Sequence, residues 1–243
     1  MITFLAGTIT ENQNNDGAQG FITNQNGFSD ALRKNWKEGS RVLYICSEPE
    51  KYAENDGTFI YYRNCFARSA FSFSCFDLVD SRYAADFDYA RLSSYDVIIL
   101  GCGRVPTQRA FAEKLGLRSA LQNFDGIVIG ISAGALNLAE ETYNWPEEEG
   151  DTTNPWNPRF YQGLGLVKTQ VLPHFQARWD MYVDGRHLYE DITLKDSRGH
   201  EFIALPDFSY IVAENGRETI CGEYSCYRNG LFLNLFAQDA IAS

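Results

Sequence analysis

The stretch that most constrains this chain is Gly126-Ile127-Val128-Ile129-Gly130-Ile131-Ser132-Ala133-Gly134-Ala135. Apolar positions from Ile127 to Ile131, broken only by Gly130, predict a short strand buried on both faces, as parallel sheets require. An alanine- and leucine-rich run to Glu141 follows directly and has the composition of a helix. Gly130 to Gly134 is therefore a Gly-x-Ser-x-Gly at a strand-to-helix junction, the nucleophile-elbow pattern. The two glycines let the chain turn sharply and push the Ser132 hydroxyl out at the carboxyl edge of the sheet. The Ala133 N–H then opens the helix, where it would stabilise a developing oxyanion. An ordinary N-capping serine between two glycines explains the same five residues, so the rest of the chain has to decide.

Strands are expected at Ile2–Ala6, Arg41–Cys46, Ser74–Val79 and Asp96–Leu100. Helical pattern fills Ser29–Trp36, Pro49 to about Ser69, Thr107–Gly116 and Leu117–Phe124. The polar Glu11–Gly27 segment reads as a long loop. This alternation predicts an α/β fold: a doubly wound, mostly parallel sheet of flavodoxin-like or class I glutamine amidotransferase-like type. In such sheets ligands bind at the carboxyl ends of the strands. Leu100 and Ile131 end two of them, so the Gly101-Cys102-Gly103-Arg104 loop and Ser132 should face each other. Beyond the elbow helix, Asn144–Pro158 is rich in Trp, Pro and acid and has no periodicity; it reads as a loop over the strand ends and a candidate lid. From Phe202 onward, short segments separated by Pro206-Asp207, Asn215-Gly216 and Asn229-Gly230 predict an antiparallel C-terminal extension of the sheet.

With 243 residues, 44% of them hydrophobic, residues 1–243 suit one large domain. A formal charge of −11 with no basic run argues against nucleic acid and anionic membranes as partners. No run approaches the roughly 18 apolar residues needed to span a bilayer, and the start, Met1-Ile2-Thr3-Phe4, has no basic leader pattern. A cytoplasmic chain is expected, with its six cysteines mostly reduced and buried. Cys221 and Cys226, five apart across Gly222, are the one pair spaced for a hairpin disulfide. No metal-ligand spacing and no phosphate-cradling loop is present, so no cofactor or metal is expected. Self-association as a homodimer is left open.

A serine needs a base to become a nucleophile at neutral pH, and there are only three histidines. His187, in a helical pattern among charges, and His200, in a turn, read as solvated. His174 follows Pro173 at the end of an apolar stretch, where a strand would deliver it to the carboxyl edge. Taken with Leu100-Gly101-Cys102-Gly103, Gly163-Leu164-Gly165-Leu166 and Pro173-His174-Phe175, the Gly130–Ala135 block resembles the dipeptidase E/cyanophycinase family of serine peptidases. These blocks span about half of the chain.

The resemblance implies Ser132 as nucleophile, His174 as base, and oxyanion donors from the Ala133 N–H and the Gly101–Gly103 loop, Gly103 first. Serine at the elbow, where amidotransferases carry cysteine, speaks against ammonia release from glutamine. The family's Gly-Gly-Asn-Thr loop reads Gly101-Cys102-Gly103-Arg104 here, so Arg104 is a candidate for binding a substrate carboxylate. The triad acid lies between serine and histidine in the family. Asp151 is the first choice, with Glu147 or another carboxylate as alternatives. Arg178 could hold a substrate carboxylate and Asp207 a substrate amine. The implied activity is hydrolysis of short peptides, aspartyl or β-aspartyl dipeptides, through an acyl-enzyme. The alternatives are an inactive binding or regulatory protein on the same fold, or an acyl hydrolase of non-peptide substrates.

Overall fold

The computed structural model describes residues 1–12, 20–84 and 92–235. Its centre is a seven-stranded sheet. Five strands run parallel: Ile2–Ala6, Ser40–Ile45, Phe73–Val79, Val97–Leu100 and Ile127–Ile131. Across the sheet they lie third, second, fourth, fifth, first. The flavodoxin order is 2-1-3-4-5; here the first strand of the chain takes the outer place beyond the fifth. The chain reverses its direction of travel at Ser40–Ile45. With right-handed crossovers, that reversal puts the helix Tyr52–Arg68 on one face and Val105–Lys114 on the other. It also opens a crevice between the ends of Ser40–Ile45 and Val97–Leu100.

Burial explains why these segments are strands. Every residue of Ile2–Ala6, Val97–Leu100 and Ile127–Ile131 is buried, so a continuous apolar run satisfies both faces. The helix Tyr52–Arg68 runs unbroken through Gly57, whose missing side chain faces open space. Trp36 stacks on Phe66 of that helix, and Phe66 meets Phe71 and Phe76 beneath it.

The C-terminal strands divide between two sheets, where the sequence predicts one extension. Tyr210–Glu214 pairs antiparallel with Ile2–Ala6, and Arg217–Cys221 continues that edge through the Asn215-Gly216 turn. Both turn residues have positive φ (53° and 76°), the conformation of a tight two-residue hairpin. Gly222, at φ 101°, then redirects the chain. Tyr224–Arg228 and Leu231–Leu235 join Gln170–Leu172 and Glu201–Ala204 in a separate four-stranded sheet. The cause is a second apolar core of mostly aromatic side chains, among them Tyr143, Trp145, Phe175, Tyr189, Phe202 and Tyr227. It stands apart from the main core and holds this sheet in place. His187, expected to be solvated, is buried against it: its ring packs on Trp179, and its Nδ1 accepts from the Glu190 N–H. Where a loop is expected over 11–27, Thr10–Asn12 pairs antiparallel with Gly20–Ile22, with 13–19 outside the described residues. All six cysteines are free, including Cys221 and Cys226. Among the described residues, no helix is long and apolar enough to cross a membrane.

Candidate active site

Ser132 follows the fully buried Ile127–Ile131 strand and caps the short helix Ala133–Asn137. Its backbone sits at φ 55°, ψ −109°, a strained conformation for a residue with a side chain. Three backbone hydrogen bonds hold it there. Its N–H donates to the Ala6 carbonyl (2.8 Å), and its carbonyl accepts from Ala135 and Leu136 (2.9 and 3.2 Å).

The flanking glycines are steric necessities. A Cβ on Gly130 would lie 2.8 Å from the Ala135 backbone nitrogen, and one on Gly134 would lie 2.2 Å from the Leu100 carbonyl oxygen. Gly134→Ala should therefore cost about 1–3 kcal/mol of stability through forced backbone displacement. Urea unfolding of the variant measures this, and an unchanged midpoint would contradict so close a fit.

The Gly101–Arg104 loop is tied to the elbow by that Gly134–Leu100 contact and fixed from behind by a polar chain. Ser47 Oγ donates to the carbonyls of Gly101 and Cys102 (2.9 and 2.6 Å). Gln108 Nε2 donates to Gly101 O (2.8 Å), and Asn137 Nδ2 to Gln108 Oε1 (3.1 Å). The Gly101 and Cys102 carbonyls are thereby turned back to these donors. Gly103 has φ 144°, and a Cβ there would meet Ser47 Cβ at 2.6 Å. No motif marks Ser47, Gln108 or Asn137. Only Ser47 carries a positional signal, at the end of the strand beside the topological reversal.

His174 reaches the same sheet edge from the second sheet. Gln170–Leu172 and Glu201–Ala204 pair in parallel with Leu172 opposite Ala204. Parallel strands that end level deliver their next residues side by side, here His174 and Asp207. His174 Nδ1 lies 2.7 Å from Asp207 Oδ1. The Asp207 turn is anchored by Asn26, whose Nδ2 donates to Phe208 O (3.1 Å). His174 and Phe208 both have positive φ (59° and 70°), so the pair rests on two strained loop positions. Gly7 packs directly beneath: a Cβ there would lie 3.1 Å from Asp207 Oδ1 and 3.3 Å from His174 Nδ1. Ala6 bonds Ser132, and Gly7 touches the histidine–aspartate pair. The end of Ile2–Ala6 thus touches both the elbow backbone and the histidine–aspartate pair, and Asp207, first expected to hold a substrate amine, is the residue beside His174 Nδ1.

Asp151, the expected partner of His174, is elsewhere. It accepts from the N–H groups of Glu147 and Glu148 (3.0 and 2.9 Å), from Asn157 Nδ2 (3.1 Å), and from Arg104 Nη2 through both oxygens (3.2 and 2.9 Å). Burial disfavours its charge, but those two N–H donors and the Arg104 guanidinium outweigh it and hold the carboxyl below its ordinary range. The acid is saturated within its own loop. Arg104 is correspondingly occupied by Asp151 and Glu148. Arg178 pairs with Glu147 (3.1 Å) and lies over the Trp145 ring. Neither arginine is left as a free substrate cation.

These contacts turn residues 144–158 from a candidate lid into a strap pinned through its middle, at Glu147, Glu148 and Asp151. A further anchor is Asp184, which accepts from the N–H groups of Gly150 and Thr152 and from the Thr152 hydroxyl. The Thr152 hydroxyl first, then the two N–H groups, lowers its pKa to about 2. A depressed carboxylate pKa gives stability that is complete above the unfolded value, near 3.9, and is lost as pH falls toward 2. The strap should therefore resist limited proteolysis unchanged down to about pH 4 and loosen below it. Asp184→Asn should expose the strap to cleavage already at neutral pH, and equal cleavage rates would show that Asp184 is not its anchor.

A cleft of about 490 Å³ opens between the Gly101–Arg104 loop and the start of the Tyr52–Arg68 helix, walled by Ser47, Glu48, Gly103 and Arg178. A second groove, about 600 Å³, begins at Phe175 and Pro206, next to His174 and Asp207. Among the described residues, no group of three or more His, Cys, Asp or Glu side chains stands close enough together to hold a metal ion.

No family model matches this chain, and no curated protein matches it. Solved structures do. A peptidase from an acI-B1 Actinobacterium superposes with a TM-score of 0.68 at 15% identity, over 100% of this chain and 96% of that one. A Listeria monocytogenes EGD-e protein named for peptidase E gives 0.56 at 14% identity, over 90% of this chain and 96% of its own. The likeness at such low identity is one of fold: this chain has the peptidase E-like fold.

Proposed function

We propose that this chain is a serine peptidase acting on short peptides. The observation that carries the reading is the convergence at the Ala6-Gly7 strand end. Ala6 is bonded to the strained elbow of Ser132, and Gly7 packs against a histidine paired with a carboxylate. The peptidase names of its structural neighbours support it.

In this mechanism Asp207 accepts the Nδ1 proton of His174 in a hydrogen bond, leaving Nε2 as the base. Ser132 Oγ attacks the peptide carbonyl while His174 Nε2 takes its proton. The N–H groups of Ala133 and Gly103 receive the oxyanion. The tetrahedral intermediate collapses, the C–N bond breaks, and His174 returns the proton to the leaving amine. Water, deprotonated by the same nitrogen, then cleaves the acyl-enzyme.

The strap confines the approach and favours short substrates over folded chains. The aspartyl or β-aspartyl preference belongs to this proposal. A substrate carboxylate would replace the exposed Glu148 on Arg104, exchanging one carboxylate for another at small net cost. Six free thiols, three of them buried, fit a cytoplasmic setting.

Labelling with a small fluorophosphonate, read by intact mass, tests the reading. One adduct on the wild type, lost in both Ser132→Ala and His174→Ala, is expected. No adduct on folded protein would favour a binding or regulatory role on the same fold. Labelling with turnover of esters but of no peptide would favour a non-peptide acyl hydrolase.

A further inference from the structure

The groove of about 600 Å³ beside His174 has no role in the steps above. We propose that it is the leaving-group subsite and takes an aromatic side chain on the residue that follows the scissile bond, in uncharged C-terminal form. The inference rests on the serine peptidase reading, because that reading fixes which side of the site the leaving residue occupies. His174 must hand its proton to the departing amine, so the residue carrying that amine lies over the imidazole. The Gly101–Arg104 loop and its cleft are left to the acyl half. The groove starts on the imidazole side, from Phe175 and Pro206, the chain neighbours of His174 and Asp207.

Its walls define the occupant. Trp179 and Phe232 stand 6.0 Å apart, each within 6 Å of the Phe175 ring, which is itself buried. Both of the former are more than a third exposed, although the aromatic core continues directly behind them through Tyr189 and Tyr227. Large rings on a preformed, half-open wall offer edge and face contacts to one further ring. The polar members are the neutral Gln176, Tyr224 and Ser225 and the carboxylates Asp180 and Glu223. No lysine or arginine lines the groove among the described residues. A free C-terminal carboxylate placed here would meet two like charges and no counter-charge, whereas an amide would not.

Burying a phenylalanine ring here in place of solvent is worth about 10- to 100-fold in kcat/KM. The experiment compares Asp-Phe-amide with Asp-Gly-amide and with the free acid Asp-Phe. The expected result is a phenylalanine-to-glycine ratio of about tenfold or more in the wild type, with the amide preferred to the acid. That ratio should fall below about threefold in Trp179→Ala and in Phe232→Ala, two substitutions on separate elements, and return in Trp179→Phe. A wild-type ratio near one, or a ratio that both alanine variants leave intact, overturns the proposal.

A second arm needs no turnover: phenylalaninamide and glycinamide are titrated into Ser132→Ala protein and followed by tryptophan fluorescence. Saturable binding of phenylalaninamide alone, lost when Trp179→Ala is added, supports the subsite; no binding, or equal binding of both, overturns it. If the wild type takes no fluorophosphonate and cleaves no peptide, the peptidase reading falls, and this arm still decides the groove.

Discussion

Ser132→Ala is expected to lower peptide turnover by about 10⁴-fold or more while leaving the melting temperature unchanged. The two halves of that expectation have separate causes. The hydroxyl makes no hydrogen bond to another described residue, so removing it strands no partner. The bonds that hold the elbow run through the Ser132 backbone to Ala6, Ala135 and Leu136, and alanine keeps all three. Alanine also meets the same backbone strain at φ 55° that serine does. Turnover depends on the oxygen itself, because the alanine side chain offers no nucleophile in its place. Parallel measurement of peptide hydrolysis and thermal unfolding tests both halves. Comparable hydrolysis by the alanine variant would remove Ser132 from the chemistry altogether.

Asp207→Asn should be nearly as severe, with kcat reduced by about 10⁴-fold, the loss seen when the carboxylate of a Ser-His-Asp triad becomes an amide. The amide nitrogen would present a proton to His174 Nδ1, and the imidazole would then favour the tautomer with its proton on Nε2. That form cannot accept the serine proton. Asp151→Asn is the informative control, since a carboxylate preceding the histidine was the expected triad member. It should lower kcat by less than about tenfold, because it loosens the strap at Arg104 and leaves the imidazole alone. Steady-state kinetics on the two variants decide between the acids. A larger loss for Asp151→Asn would make the His174–Asp207 contact a structural one.

The contrast between these aspartates shows where reading the chain by itself stops. The strand at Ile127–Ile131, the serine that follows it and the glycines that flank it are visible because each is dictated locally. An all-buried strand must be apolar, and a sharp turn against packed backbone must be glycine. His174 is visible by elimination among three histidines. The partner of its Nδ1 is not, because it depends on Gln170–Leu172 and Glu201–Ala204 pairing in parallel across the 28 residues between them. Nothing in either segment announces that pairing. The occupation of Arg104 and Arg178 by carboxylates is equally hidden: arginines in a glycine-rich loop and after a histidine look available until the strap is folded over them. His187 misleads for the reverse reason. Its charged neighbours suggest solvent, while the aromatic cluster that buries it is assembled from segments on either side of it in the chain.

The place of Ile2–Ala6 in the sheet also governs when the site can exist. Its neighbours are Ile127–Ile131 on one side and Tyr210–Glu214 on the other, both far along the chain. Ala6 holds the elbow serine, and Gly7 supports the histidine–aspartate pair. Pairings of such long sequence separation are costly in loop-closure entropy and form late and slowly. A partly folded chain has the serine and the histidine but nothing to bring them together. On the proposed reading, peptide cleavage is then the last property the molecule acquires, and unfinished copies pose no hazard to the peptides around them.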